Sequence, residues 1–125
     1  MAEYIMKQKV KELGKEKEYH IESRATSYET DGDDIYPPAK RKLDEENIKY
    51  DKHRATRLEK DDLEKFDYFI CMDDNNIYNV ESIIGKTPKI IKLLDRDIAD
   101  PWYTRDFNTA YNDIVEGINL LINRL

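Results

Sequence analysis

Apolar residues recur at helical spacing at both ends of this chain. Positions 2, 5, 6, 10 and 13 predict a helix over residues 1–13 that stops at Gly14. Residues 105–125 predict a longer amphipathic helix with one continuous apolar stripe. That stripe consists of Phe107, Tyr111, Ile114, Ile118, Leu121 and Leu125.

Two more helices are predicted between these ends from their start and stop signals. The Pro-Pro pair at 37–38 opens one that runs to about Glu46, because proline is tolerated in the first turn of a helix. The Asp-Asp pair at 73–74 caps another, which ends before Gly85. A shorter helix is predicted around residues 61–65.

Short apolar runs between these helices predict strands. Residues 66–72 read Phe-Asp-Tyr-Phe-Ile-Cys-Met, which is typical of a strand buried on both faces. Residues 89–94 and 19–22 predict two further strands. Strands that alternate with helices indicate an α/β fold with a mostly parallel sheet. The active site of such a sheet lies beyond the carboxyl ends of its strands, so the segments 23–36 and 95–104 are expected there.

The composition narrows the possible classes of function. A length of 125 residues suffices for one hydrophobic core, and we predict a single domain over residues 1–125. The net charge of −6 argues against a general nucleic-acid binder, and the basic cluster at 40–42 is interpreted as a solvated helix face. The chain has no apolar run of about 18 residues and no signal-peptide core, so we expect no membrane segment and a cytoplasmic location.

The sequence offers few candidate residues for a metal site or a disulfide. The single cysteine, Cys71, excludes an internal disulfide and a cysteine-rich zinc site. It lies in an apolar strand, where burial raises a thiol's pKa, so we predict a packing role. Asp31, Asp33 and Asp34 cluster in a loop, but their spacing does not fit the EF-hand pattern. We therefore expect no metal site and no cofactor.

Several segments, taken in order, carry a resemblance to a known family. They are Met1-Ala2-Glu3-Tyr4-Ile5-Met6, Ser23-Arg24-Ala25-Thr26-Ser27-Tyr28-Glu29, Tyr36-Pro37-Pro38-Ala39, His53-Arg54-Ala55-Thr56-Arg57, Phe66-Asp67-Tyr68-Phe69-Ile70-Cys71-Met72-Asp73 and Asp100-Pro101-Trp102-Tyr103. Together they resemble the low-molecular-weight protein tyrosine phosphatases over nearly the whole chain, although Thr56 stands where arginine is usual. The resemblance implies a three-layer, phosphotyrosine phosphatase I-like fold. It also implies hydrolysis of phosphotyrosine in proteins, with phosphotyrosine proteins or aryl phosphates as substrates.

The resemblance also implies roles for the aromatic and acidic residues near the end of the chain. Asp100 resembles the general acid that protonates the leaving phenolate, although Asp-Pro is also a common turn dipeptide. Trp102 and Tyr103 resemble walls of the substrate slot, because a flat aromatic substrate is well held between aromatic faces. Tyr28 is either a third wall or a packing residue, and both interpretations stay open.

Other implied roles depend on a phosphate-binding loop. By resemblance, Glu29 influences the choice of substrate, whereas Ser23 and His53 support that loop by hydrogen bonds. Family members carry the loop, Cys-x₅-Arg-Ser/Thr-Pro, after a first hydrophobic strand. Met1 resembles the position just after it, and Cys71 does not replace its cysteine, because Ile77 stands where arginine is needed. We therefore expect an N-terminally truncated phosphatase that lacks its central strand and does not catalyse the family reaction.

Two alternatives and one assembly state follow from the same resemblance. A non-catalytic protein-interaction module derived from the phosphatase fold is the main alternative. An arsenate reductase on this fold is disfavoured, since that chemistry passes a disulfide between cysteines and the chain has one. The absence of a central strand would leave exposed strand edges, so we also predict a homodimer through those edges.

Overall fold

The computed structural model describes residues 1–27, 32, 34–51 and 54–125. Its helices and strands follow the alternating order expected from the sequence. In chain order they are α1 Ala2–Glu12, α2 Pro37–Glu45, α3 Asp62–Lys65, β1 Phe69–Cys71, α4 Asp74–Ile84, β2 Ile90–Lys92, α5 Pro101–Thr104 and α6 Phe107–Arg124. The four long helices and the two central strands of the prediction are confirmed, with bounds that differ by a few residues.

The two strands pair in parallel, with Phe69 opposite Ile90 and Cys71 opposite Lys92. Successive side chains of a strand point to opposite faces. Phe69 and Cys71 therefore pack on the side of α4, whereas Ile70 packs against the core on the other side. The strand Phe69–Cys71 is buried or half-buried on both faces, as predicted, whereas Asp67 and Tyr68 before it are exposed.

Helices cover both faces of this short sheet, each with its own apolar cluster. The smaller cluster joins α4 to β1 and consists of Leu58, Phe69, Cys71, Val80 and Ile84. The larger cluster joins α1, α2 and α6 on the opposite face. It consists of Tyr4, Ile5, Met6, Val10, Leu43, Ile48, Leu93, Leu94, Ile98, Ile114, Ile118 and Leu121. This arrangement gives the three layers expected for the α/β fold.

The predicted strand at 19–22 is wrong, since no strand is assigned to these residues. The nearest pairing is an isolated parallel bridge between Ala25 and Arg57. A strand needs a neighbouring backbone to bond with, and among the described residues none pairs with residues 19–22. For the same reason β1 is shorter than predicted: the Met72 N–H bonds to the side-chain oxygen of Asn76, at 3.1 Å, instead of to a strand.

Local hydrogen bonds set the ends of the helices. The Asp73 side chain accepts the Asn76 N–H at 2.7 Å and begins α4, as predicted, and Gly85 ends that helix with a φ of 85°. The last helix begins at Phe107 and not at Arg105, because Asp106 caps it by accepting the Thr109 N–H at 3.0 Å.

Helix α6 approaches the sheet closely at one point. A side-chain carbon on Gly117 would lie 2.4 Å from Cγ of Leu93, the residue that follows β2. Glycine is unfavourable inside a helix, and this close packing explains its presence here. Among the described helices none is long and apolar enough to cross a lipid bilayer.

Candidate functional site

Residues 100–105, named here the Asp100 loop, follow β2 and are anchored to the end of β1. The anchor is Ile98, which is buried and whose N–H donates to the Met72 carbonyl oxygen at 2.9 Å. Because Met72 directly follows β1, this bond places the start of the Asp100 loop beyond the carboxyl end of the sheet. An active site of an α/β sheet is expected at that edge.

Asp100 is the N-cap of α5, a single helical turn. Its Oδ1 accepts the Trp102 N–H at 2.9 Å, and its carbonyl oxygen accepts the Tyr103 N–H at 3.0 Å. Pro101 occupies the first helical position, where its fixed φ favours the turn. The turn was not predicted from the sequence, which indicated a loop over 95–104, yet Asp followed by Pro is a helix-start signal. The carboxylate is therefore exposed, but its orientation is set by a backbone N–H.

The two aromatic residues of the Asp100 loop are exposed. Trp102 exposes 52% of its surface and Tyr103 exposes 81%. Large aromatic side chains with this much exposed area are well suited to contact a flat ligand, and the structure places both within three residues of Asp100. Trp102 also contacts the ring of Tyr36, with 4.4 Å between ring centroids.

Ser23 lies against the first turn of α1. Its hydroxyl donates to Oε1 of Glu3 at 2.7 Å, and the other carboxylate oxygen of Glu3 accepts from Lys7 at 2.6 Å. The support of a phosphate-binding loop that the resemblance implies for Ser23 stays a prediction. Three other predicted site residues, Tyr28, Glu29 and His53, lie outside the described residues.

Two residues that the sequence did not single out belong to the site: Arg105, the last residue of the Asp100 loop, and Tyr36, which contacts that loop. Arg105 ends α5 with φ 62° and ψ 10°, and its Nη1 donates to the hydroxyl of Tyr36. The Arg105 guanidinium lies 5.9 Å from the Tyr36 ring centroid and 5.8 Å from that of Trp102. Tyr36 is the residue before α2, so these contacts connect the Asp100 loop to that helix. The sequence held one signal for this geometry: Asp106, as the cap of α6, leaves Arg105 outside the helix.

The only cysteine has the properties of a core residue. Cys71 is 3% exposed and packs against Val80 and Ile84 of α4. Burial raises the pKa of its thiol to about 11, and the negative charges of Asp73 and Glu81 add to the effect. A thiolate is the nucleophilic form of cysteine, and a pKa this high leaves very little thiolate at neutral pH. The position six residues further on, Ile77, carries no charge to grip a phosphate.

Charged side chains also gather where β2 ends. The Lys92 ammonium lies 2.6 Å from a carboxylate oxygen of Asp97 and 2.9 Å from one of Asp74. Its hydrogen bond lowers the pKa of Asp97 and raises that of Lys92. In the part of the chain that is described, no group of three or more His, Cys, Asp or Glu side chains could hold a metal ion.

The fold and the Asp100 loop together define a class of protein. The family of low molecular weight phosphotyrosine protein phosphatases matches residues 1–125, and the chain belongs to this family of hydrolases. Its α/β fold is shared with solved structures. YfkJ from Bacillus subtilis superposes with a TM-score of 0.94 at 29% identity, over 98% of this chain and 83% of YfkJ.

Named relatives agree with this assignment. The low molecular weight protein tyrosine phosphatase SP-PTP from Streptococcus pyogenes gives a TM-score of 0.91 at 32% identity, covering 99% of this chain and 82% of that one. The low molecular weight protein-tyrosine-phosphatase PtpA from Staphylococcus aureus is 29% identical over 130 residues, covering 98% of this chain and 82% of PtpA.

Proposed function

We propose that residues 1–125 form one domain that carries the general acid and the aromatic walls of a tyrosine phosphatase site. Asp100 protonates the leaving phenolate oxygen, and Trp102 and Tyr103 flank the phenyl ring of the substrate. The observation that carries this proposal is the geometry of the Asp100 loop. An exposed carboxylate is oriented by a backbone N–H at 2.9 Å, beside two exposed aromatic side chains, at the carboxyl edge of the sheet.

A general acid suits this reaction because of the leaving group. A phenol has a pKa of about 10, so its oxygen leaves far more readily when a proton is transferred as the bond to phosphorus breaks. Tyr28 and Glu29 are proposed to complete the contacts with the substrate, with Ser23 and His53 as supports of a phosphate-binding loop. Phosphotyrosine in proteins is the proposed substrate, and no cofactor is proposed.

The 125-residue chain on its own is proposed to be inactive. Its one thiol, that of Cys71, is buried, has a pKa near 11 and faces α4, not the Asp100 loop. Neither a nucleophile nor an arginine at the required spacing is therefore offered by these residues. Incubation of the purified chain with para-nitrophenyl phosphate should give no turnover above buffer. Turnover that is lost in Cys71→Ser would contradict this conclusion.

The role of Asp100 is tested in a second polypeptide. A strand and a Cys-x₅-Arg-Ser/Thr-Pro segment from a relative are joined ahead of Met1, and turnover is measured with two aryl phosphates. Asp100→Asn should lower kcat by roughly 10²–10⁴-fold with phenyl phosphate, whose leaving group needs a proton. The loss should be smaller with para-nitrophenyl phosphate, because nitrophenolate is a better leaving group. Equal losses with both substrates would remove Asp100 from the acid role.

A second candidate function is that of a non-catalytic interaction module. The exposed Trp102 and Tyr103 favour it, because exposed aromatic residues are common at sites of protein binding. A phosphotyrosine peptide and the matching unphosphorylated tyrosine peptide, each titrated into the 125-residue chain, test the module. Saturable binding of both peptides that is weakened by Trp102→Ala supports it, and no binding of either counts against it.

We also propose that the free edge of β1 pairs with a second copy of the chain. The Phe69 N–H and the Cys71 carbonyl both bond to the β2 side, so the backbone groups of Ile70 face the other way. Within the described residues no strand lies on that side of β1. Static light scattering should give twice the monomer mass. A uniform mass near 14.9 kDa would exclude the dimer.

A further inference from the structure

The Asp100 loop is held against α2 by one compact cluster, which we name the Arg105 clamp. It consists of Tyr36, Trp102 and Arg105. The ring centroids of Tyr36 and Trp102 are 4.4 Å apart, and the guanidinium of Arg105 lies within 6 Å of both. Nη1 of Arg105 also donates to the Tyr36 hydroxyl. Phe107, the first residue of α6, adds a further ring contact with Tyr36, at 6.2 Å.

The backbone of Arg105 is held in an unusual conformation. Its φ of 62° and ψ of 10° lie in the left-handed region, which a residue with a side chain adopts at a cost. Such a conformation persists where surrounding contacts impose it, and it is frequent at functional sites. Arg105 is the C-cap of α5, a position where a left-handed residue is common, and its backbone N–H donates to the Pro101 carbonyl oxygen at 2.9 Å. The contacts of its side chain with the two rings and the hydroxyl add to this backbone bond.

The chemistry of these contacts differs from that of a neighbouring surface arginine. Arg96 bonds to the carboxylates of Asp113 and Glu116, at 3.0 and 2.9 Å. Arg105 instead contacts the faces of aromatic rings, a geometry that a planar guanidinium supports and an ammonium supports less well. Its contacts are therefore directed at the loop and at the start of α2.

A short chain of contacts connects the Arg105 clamp to the carboxylate. The clamp holds the ring of Trp102, and the backbone N–H of Trp102 donates to Oδ1 of Asp100 at 2.9 Å. The ring contact restrains the single turn of α5 that carries this N–H, so loss of the contact would leave the turn and its bond to the carboxylate less firmly held. We propose that Arg105 and Tyr36 are positioning residues that orient Asp100 through Trp102. The inference rests on the proposed acid role of Asp100 for its catalytic meaning, and its structural content is tested separately.

The 125-residue chain offers a direct probe, because Trp102 is its only tryptophan. Trp102 fluorescence with acrylamide quenching reports the ring, and hydrogen exchange of the Trp102 amide reports its bond to Asp100. Arg105→Ala should red-shift the emission, increase quenching and speed amide exchange roughly 2- to 5-fold, the factor given by loss of one exposed cation–π contact. Arg105→Lys should recover part of the change, because it keeps the charge without the planar stack.

Two further variants serve as controls. One distinguishes the effect of the Arg105 side chain from that of its backbone conformation, and the other replaces an arginine elsewhere on the surface. Arg105→Gly relieves the left-handed conformation but removes the guanidinium, so it should resemble Arg105→Ala if the clamp acts through its side chain. Arg96→Ala removes an exposed arginine that is held by carboxylates and should leave both Trp102 signals unchanged. Wild-type signals in both Arg105→Ala and Arg105→Gly would overturn the proposal.

If an Arg105 variant fails to fold, Tyr36→Phe provides a second test of the proposal. It removes the hydroxyl that accepts from Arg105 and keeps the ring, so a smaller change of the same sign is expected, and no change overturns the proposal. These signals do not require turnover. Trp102 signals that stay at their wild-type values in the variants contradict this inference, whatever the kinetics of Asp100→Asn show. Kinetics that exclude Asp100 as the acid contradict the proposed function, whatever the Trp102 signals show. The two failures are therefore distinguishable.

Discussion

Cys71 and Asp100 are the two residues of this chain that invite a catalytic interpretation, and their surroundings are opposite. Cys71 is 3% exposed, faces α4 and has a thiol pKa near 11. Asp100 lies on an exposed turn, where a backbone N–H orients its carboxylate. Burial keeps the thiol in its unreactive form, whereas exposure and one hydrogen bond leave the carboxylate accessible and directed. The difference shows how strongly burial and a single backbone hydrogen bond determine which of these two groups is available for chemistry.

The largest expected difference between these regions is in stability. Leu58 is 2% exposed and packs in the cluster that contains Cys71, so Leu58→Ala should lower the free energy of unfolding by about 2–5 kcal/mol. Trp102→Ala removes a larger side chain, but one that is half exposed, and should cost less than about 1 kcal/mol. Urea unfolding followed by circular dichroism measures both. Equal losses would show that the Asp100 loop is part of the core.

The next largest expected effect is the pH dependence of the free energy of unfolding. The thiol of an unfolded chain ionises near pH 9, whereas Cys71 in the fold keeps its proton until about pH 11. The unfolded state therefore loses its proton first, and stability falls between these values by at most about 2.7 kcal/mol. Tyr4 and Tyr111 also have raised pKa values and contribute in the same direction.

Comparison of the wild-type chain with Cys71→Ala separates the contribution of the thiol to this pH dependence from that of the tyrosines. Urea unfolding of both chains at pH 8 and at pH 10.5 gives two stability differences. We expect the wild-type chain to lose more on the change to high pH than the variant does. Parallel behaviour of the two chains would mean that Cys71 ionises as it does in water, and the contrast with Asp100 would disappear.

The reactivity of the thiol should follow its pKa. A shift from 9.0 to about 11 lowers the thiolate population at pH 8 roughly 100-fold, because each pKa unit is a factor of ten. Iodoacetamide should therefore label native Cys71 at least about 100-fold more slowly than the same chain in urea, as measured by mass spectrometry. Labelling at similar rates would reopen Cys71 as a nucleophile.

The two regions also differ in how much the sequence could predict. The burial of Cys71 follows from local information, since seven consecutive and mostly apolar residues leave no polar face for a strand. The caps of α4 were likewise predictable from the Asp73 and Gly85 signals. The absence of a strand at residues 19–22 was not predictable, because a strand depends on which backbone lies beside it. Periodicity contains no information about that neighbour.

The site was predictable only in part, for a similar reason. Asp100, Trp102 and Tyr103 are consecutive or nearly so, and the resemblance identified them together. Tyr36 precedes Arg105 by 69 residues, and their contact arises from packing of the Asp100 loop on the start of α2. Such a contact is a tertiary property: the one local signal, the cap at Asp106, indicates that Arg105 lies outside α6 but not which residue it contacts.

The smallest effect concerns the cap formed by Asp100 itself. Asp100→Ala removes the oxygen that accepts the Trp102 N–H and should cost about 0.5–1 kcal/mol, the low end for a helix cap, because α5 is short and exposed. Asp100→Asn keeps an accepting oxygen and should cost less, since asparagine caps helices about as well as aspartate.

Urea unfolding of these two variants separates the contribution of Asp100 to stability, as a helix cap, from its role as a proton donor. The asparagine variant preserves the turn and removes the proton donor. Activity that Asp100→Asn loses in the polypeptide with the added strand and Cys-x₅-Arg segment, at unchanged stability, therefore reports chemistry alone. If Asp100→Asn were as unstable as Asp100→Ala, the carboxylate charge and not the hydrogen bond would hold the turn, and the asparagine variant would no longer isolate the acid.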